Sequence, residues 1–133
     1  MNLSNYLLYC GYDFGVSNET SEWLSIPEIA ELLGVRQREI RNMLADNRLL
    51  AVRRGENNAL MIPRGELTEK EGEITVLASL RGTVTALRDA GFSDDEAMNW
   101  LNRVDDELGV TPLEALRSSR VKAVRRVIAA LAF

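Results

Sequence analysis

Arg36, Gln37, Arg38, Arg41 and Asn42 lie within seven consecutive positions, and all five side chains suit hydrogen bonds to phosphate oxygens and base edges. Ile40, Met43 and Leu44 fall among them at helical spacing. A helix over residues 36–46 would bury that apolar stripe and turn Arg36, Gln37, Arg38, Arg41, Asn42 and Ala45 outward. A second polar group follows, with Arg53 and Arg54 leading into Asn57 and Asn58. The cations in both groups are arginines, whose planar fork matches phosphate and guanine in a two-point contact. The chemistry these residues offer is recognition of a polyanion, with no bond made or broken.

Catalytic chemistry has little to work with. The chain contains no histidine, one cysteine (Cys10) and two lysines. A Cys/His zinc site, a Ser-His-Asp arrangement and a Cys-His pair are therefore excluded within one chain. So is an intramolecular disulfide, which fits a reducing compartment. Neither G-x-G-x-x-G nor G-x-x-x-x-G-K occurs. Asp94 and Asp95 fall in a helix first turn, where carboxylates favour the dipole. Asp105, Asp106 and Glu107 lack EF-hand spacing. The expectation is a protein that is not an enzyme, with no catalytic residues, no cofactor and no metal site.

The charge is sorted along the chain. The 133 residues carry a formal net charge of −4, which by itself speaks against a general nucleic-acid coat. Yet residues 34–64 hold seven arginines against three acids, a local balance of +4. The acids concentrate before and after that block. A basic segment inside an acidic protein is the electrostatic footprint of a localised polyanion site.

The elements that must position these residues are legible around them. Ser25-Ile-Pro-Glu28 has the form of a capping box with proline in the first turn. Ile26, Ile29, Ala30 and Leu33 recur at helical spacing, and Gly34 ends the helix. With Val35, Ile40 and Met43 they match the packing demands of a helix-turn-helix: a small residue at the crossing, glycine in the turn, apolar residues inward. Leu49–Val52 and Ala59–Ile62 are short apolar runs around a turn at residues 55–58, a hairpin that would form a wing over residues 52–60. Residues 65–75 read as a solvated linker or frayed helix. Beyond it, helices are expected from a Thr83 cap to Ala90, from a Ser93 cap, from a Thr111 cap and over residues 120–132. Five bases (Arg117, Arg120, Lys122, Arg125, Arg126) crowd this end, and pairing with the acids at Asp94–Glu96 and Asp105–Glu107 is expected in preference to a second phosphate-contacting surface. Trp23 and Trp100 are expected in the core or an interface.

The fold class expected is mainly α with a small β-hairpin wing. It comprises an N-terminal arm over 1–21, a winged helix-turn-helix over 22–64, a linker over 65–75 and a helical domain over 76–133. This order resembles a small actinobacterial family of winged helix-turn-helix DNA-binding proteins with a C-terminal helical domain. The resemblance is carried by Ile29-Ala-Glu-Leu-Leu-Gly-Val35, Leu50-Ala-Val-Arg-Arg54, Ile62-Pro63, Ala97-Met-Asn-Trp-Leu101, Thr111-Pro-Leu-Glu-Ala-Leu116 and Val124-Arg-Arg126. The first half is also similar to MerR and excisionase heads, although the chain lacks the long C-terminal coiled coil of MerR regulators. The resemblance implies sequence-directed binding of double-stranded DNA through Arg36, Gln37, Arg38, Arg41 and Asn42 in the major groove. Arg53, Arg54, Asn57 and Asn58 would support it from the wing.

The expected role is transcriptional regulation, in the cytoplasm at the nucleoid, with no membrane partner. An alternative is a protein-interaction adaptor or antitoxin-like protein whose helical domain binds a partner or a second copy. Residues 94–116 are similar to the toxin-binding domain of some antitoxins.

Overall fold

Trp23–Ser25 opens the described part of the chain as a short strand, β1. The structure is a computed structural model that describes residues 22–131, so the arm over 1–21 lies outside the described residues. Ser25 then caps helix α1 (Ile26–Leu33) through a reciprocal pair of bonds: the Glu28 N–H donates to Ser25 Oγ, and the Ser25 N–H to Glu28 Oε1 at 2.8 Å. Gly34 ends the helix at φ 71°, a left-handed conformation that a side chain would strain. Helix α2 (Gln37–Ala45) follows, then β2 (Val52–Arg54) and β3 (Ala59–Pro63). A 3₁₀ turn (Arg64–Glu66) leads to β4 (Leu67–Lys70) and β5 (Glu73–Val76). Four helices complete the chain: α3 (Leu80–Asp89), α4 (Asp94–Leu101), α5 (Pro112–Arg117) and α6 (Val121–Leu131). Ser93 and Thr111 cap α4 and α5 by the same two-bond device as Ser25. The two bonds from Ser93 hold the Glu96 carboxyl below its ordinary pKa.

The mainly α fold with a hairpin wing is observed, and the β content exceeds the expectation. β1, β3 and β2 form an antiparallel sheet with β3 in the centre. Its register puts Leu24 opposite Ile62 and Arg53 opposite Leu60 on one face. Trp23, Val52 and Arg54 fall on the other, because side chains alternate along a strand. Leu24 and Ile62 join Ile26, Ile29, Ala30 and Ile40 in one core under the helix-turn-helix. Val52 joins Leu80, Val84, Trp100, Leu101, Leu113 and Val124 in a second core, with Trp23 packed against it. The small sheet is therefore a wall shared by two cores.

Residues 49–52 continue the same alternation. Leu49 and Ala51 belong to the first core, Leu50 and Val52 to the second. A segment buried on both sides reads as an unbroken apolar run rather than an alternating one. Only its last residue is ladder-paired, so the strand starts at Val52.

Two expectations about the second half are corrected. The segment taken as a linker or frayed helix is the hairpin β4–β5, closed by Lys70 opposite Glu73 across Glu71 (φ 53°) and Gly72 (φ 82°). Both turn residues have positive φ, as a two-residue hairpin turn of the primed type requires. Leu67, Ile74 and Val76 lay this hairpin on the first core. The third helix begins at Leu80, not at a Thr83 cap. Thr83 is fully buried inside it, and its hydroxyl donates to the Ser79 carbonyl at 3.0 Å.

Candidate nucleic-acid interface

Helix α2 is anchored by one side and free on the other. Ile40 is fully buried, and Met43 and Leu44 are half-buried against the same core. Gln37, Arg38, Arg41, Asn42 and Ala45 are exposed, as is Arg36 at the N-cap. The face expected from the spacing of types is thus brought together on one helix. Two ion pairs occur among the described residues, Arg48–Asp46 and Arg88–Asp94, and neither involves Arg36, Arg38 or Arg41. Glu39, the acid within the helix, turns back toward the Arg36 N–H at 3.5 Å. The three guanidinium groups therefore present uncompensated charge to solvent.

The wing is a hairpin of β2 and β3 with residues 55–58 at its tip, all exposed. The tip is held by the Asn58 N–H donating to the Gly55 carbonyl at 3.1 Å. Arg53 Nη1 crosses the turn to donate to the Asn58 carbonyl at 2.9 Å, which leaves its other N–H groups without a partner among the described residues. Asn57 and Asn58 stand at the tip as expected.

The two wing arginines are not equivalent. Arg53 shares its sheet face with Leu24 and Ile62, the side that carries α1 and α2. Arg54 is on the opposite face, its guanidinium carbon 4.0 Å from the centroid of the Trp23 ring. A cation over an indole at this distance is held by the ring quadrupole, which fixes the side chain without consuming its N–H edges. Sequence reading assigned Trp23 only to a core or interface. Its partnership with Arg54 depends on β1, whose three residues give too short a pattern to announce a strand.

The junction behind the interface contains a buried acid. Glu66 is fully buried, and its Oε1 accepts the Leu50 N–H at 2.9 Å while Oε2 has no hydrogen-bond partner among the described residues. Its own carbonyl accepts the Leu77 N–H at 2.9 Å. Glu66 thereby ties the segment leaving α2 to the segment entering the helical half. Burial pushes its carboxyl well above the ordinary value of 4.5, against the smaller lowering effect of the Leu50 bond. Residue type alone gave no signal of this role, since Glu66 sits among the acids that suggested a solvated linker.

The basic C-terminal end also departs from expectation. Neither ion pair among the described residues joins Arg117, Arg120, Lys122, Arg125 or Arg126 to the acids at 94–96 or 105–107. Asp94 pairs instead with Arg88 at 2.8 Å. Asp105 accepts the N–H groups of Glu107 and Leu108 within its own loop. Among the described residues no group of three acids or cysteines is placed to hold a metal ion. No helix of the described residues is long and apolar enough to cross a membrane.

Comparison with known proteins matches both halves. A family described as the wHTH domain of the DNA-binding protein Rv2175c matches residues 15–65. A second, described as the Rv2175c C-terminal domain of unknown function, matches residues 77–132. The DNA-binding protein Rv2175c of Mycobacterium tuberculosis is 33% identical over 120 residues, covering 81% of this chain and 79% of that protein. The NMR structure of Rv2175c superposes with a TM-score of 0.73 at 30% identity, covering 91% of this chain and 87% of that one.

Proposed function

The chain belongs to the family of the winged helix-turn-helix protein Rv2175c, and from that premise we propose that it binds double-stranded DNA in a sequence-directed way. The carrying observation is the face of α2, where Arg36, Gln37, Arg38, Arg41 and Asn42 stand exposed, with no ion pair to another described residue, on a helix anchored by Ile40. In this reading α2 enters the major groove, where arginine reads guanine and Gln or Asn reads adenine. The wing over residues 52–60 lies along the backbone, with Arg53, Asn57 and Asn58 toward phosphates and Arg54 offering the N–H edge left free by its stack. The helix-turn-helix followed directly by a hairpin is the arrangement of MerR- and excisionase-like heads. The functional consequence we assign is transcriptional regulation at the nucleoid. Selection of bound duplexes from a random pool tests the reading. A recovered consensus supports it, and equal recovery of all sequences or no duplex binding at low salt overturns it.

A further inference from the structure

Five bases follow the last acid of the sequence, Glu114. Two of them serve the fold: Arg117 Nη1 donates to the Leu67 carbonyl at 2.9 Å and Arg120 Nη1 to the Leu108 carbonyl at 3.0 Å. The other three, Lys122, Arg125 and Arg126, are exposed on α6, a helix that contains no acid. None of them takes part in either ion pair among the described residues. α6 sets Val124, Val127 and Ile128 into the second core. At 100° per residue, Lys122 and Arg126 lie together on the opposite arc, about 6 Å apart along the axis. Arg125 flanks them, with its guanidinium so close over Gly82 that a Cβ there would collide with it. The remaining residues of that arc are Ala129 and Ala130.

The placement of α6 matters as much as its charge. It packs on α3 and α5. The first half is met by α3, α4 and α5: Asn47 donates to Thr85, α4 packs on β2, and α5 packs on the 3₁₀ turn. The outer arc of α6 faces away from the core it shares with those helices, whereas α2 packs through Ile40 in the other core. We propose that this arc is a second, sequence-independent site for duplex DNA, which lets one chain hold a second duplex while the first occupies α2 and the wing. A membrane surface would require a broad free apolar face, but Val124, Val127 and Ile128 of α6 are buried and Leu131 is its one exposed large apolar side chain. A specific protein interface would require aromatic or large apolar anchors, and the arc offers alanines. Unpaired cations at helical spacing suit the regular phosphates of a duplex.

The bridging consequence rests on the head binding duplex DNA, and the test separates the two. A biotinylated duplex carrying the selected head sequence is immobilised, loaded with the full chain and offered a fluorescent duplex of unrelated sequence. The wild type is expected to retain the second duplex, with retention falling steeply as salt rises. Lys122→Gln with Arg126→Gln, and separately Lys122→Glu with Arg126→Glu, should reduce retention at least tenfold. Both variants should melt like the wild type and bind the head duplex within twofold. Unchanged retention by them, or none by the wild type, overturns the proposal. Arg38→Ala with Arg41→Ala reports on the head. If that variant binds the immobilised duplex like the wild type while the α6 variants release it, the head reading fails and the α6 site stands.

Discussion

The Arg54 guanidinium stacks over the Trp23 ring at 4.0 Å, joining the two outer strands of the sheet on the face turned toward the second core. Arg53, its neighbour, points to the other face and locks the wing tip through the Asn58 carbonyl. Adjacent arginines of identical chemistry are thus given different work by the two-residue period of a strand.

This asymmetry predicts separable phenotypes. Arg54→Ala and Trp23→Ala should each lower thermal stability, and a double-mutant cycle should return a coupling of about 0.5–2 kcal/mol. Arg53→Ala should instead weaken binding to every duplex alike and flatten the plot of log K against log[salt] by about one phosphate contact, a slope change of about 0.9. Melting curves and anisotropy titrations of the three single variants check the assignment. A larger affinity loss for Arg54→Ala than for Arg53→Ala would reverse it.

On α2 the expected losses differ in kind. Arg38→Ala or Arg41→Ala should cost about 1–3 kcal/mol against the selected duplex and much less against a scrambled one. Their exposure means that little packing is lost with the side chain. Titration of both duplexes at one salt concentration gives the specificity ratio directly. Equal losses on the two would mean that these arginines touch phosphate rather than bases.

Much of this interface is legible in the sequence because a helix face is local information. The stripe of Ile40, Met43 and Leu44 fixes which side chains turn outward, and the Ser25, Ser93 and Thr111 caps announce their helices within four residues each. The hairpin β4–β5 was illegible for a physical reason. Its turn uses Glu71 in a left-handed conformation where Asn, Asp or Gly is the usual signal, and the hairpin sets only Leu67, Ile74 and Val76 against the core among three acids and a lysine. The sorting of Arg53 from Arg54 was hidden for another. It depends on the register of the central strand β3 with β2 on one side and β1 on the other, and the β1–β3 partners, such as Trp23 and Pro63, stand far apart in the sequence.

Glu66 makes stability depend on pH. In the unfolded chain its carboxyl ionises near 4.5, whereas burial keeps it neutral to higher pH in the folded chain. The folded state therefore binds a proton that the unfolded state releases. The stability it contributes is full below 4.5 and declines as pH rises until the folded group ionises. Glu66→Gln keeps an oxygen for the Leu50 N–H and removes the ionisation. Melting temperatures followed from pH 4.5 upward should fall more steeply for the wild type than for this variant. Glu66→Leu should be destabilised by about 1–3 kcal/mol near pH 4.5, since it orphans a buried N–H, and the deficit should narrow as pH rises and the wild type loses the contribution of its neutral carboxyl.

The two cores should melt as one. Leu49 and Ala51 project into the first, Leu50 and Val52 into the second, so neither core can lose its packing without disturbing the backbone that lines the other. Leu50 is 2% exposed, and Leu50→Ala should cost about 2–5 kcal/mol as a buried large-to-small change. It is confined to the second core, yet the loss should appear in both. Trp100 fluorescence reports on the second core, and hydrogen exchange at Ile29 and Ile40 reports on the first. In the wild type the two probes should give one transition midpoint, and in Leu50→Ala they should shift together. An exchange profile at Ile29 and Ile40 unmoved by Leu50→Ala would show that the sheet wall insulates the cores, and that the DNA-reading half folds independently of the helices behind it.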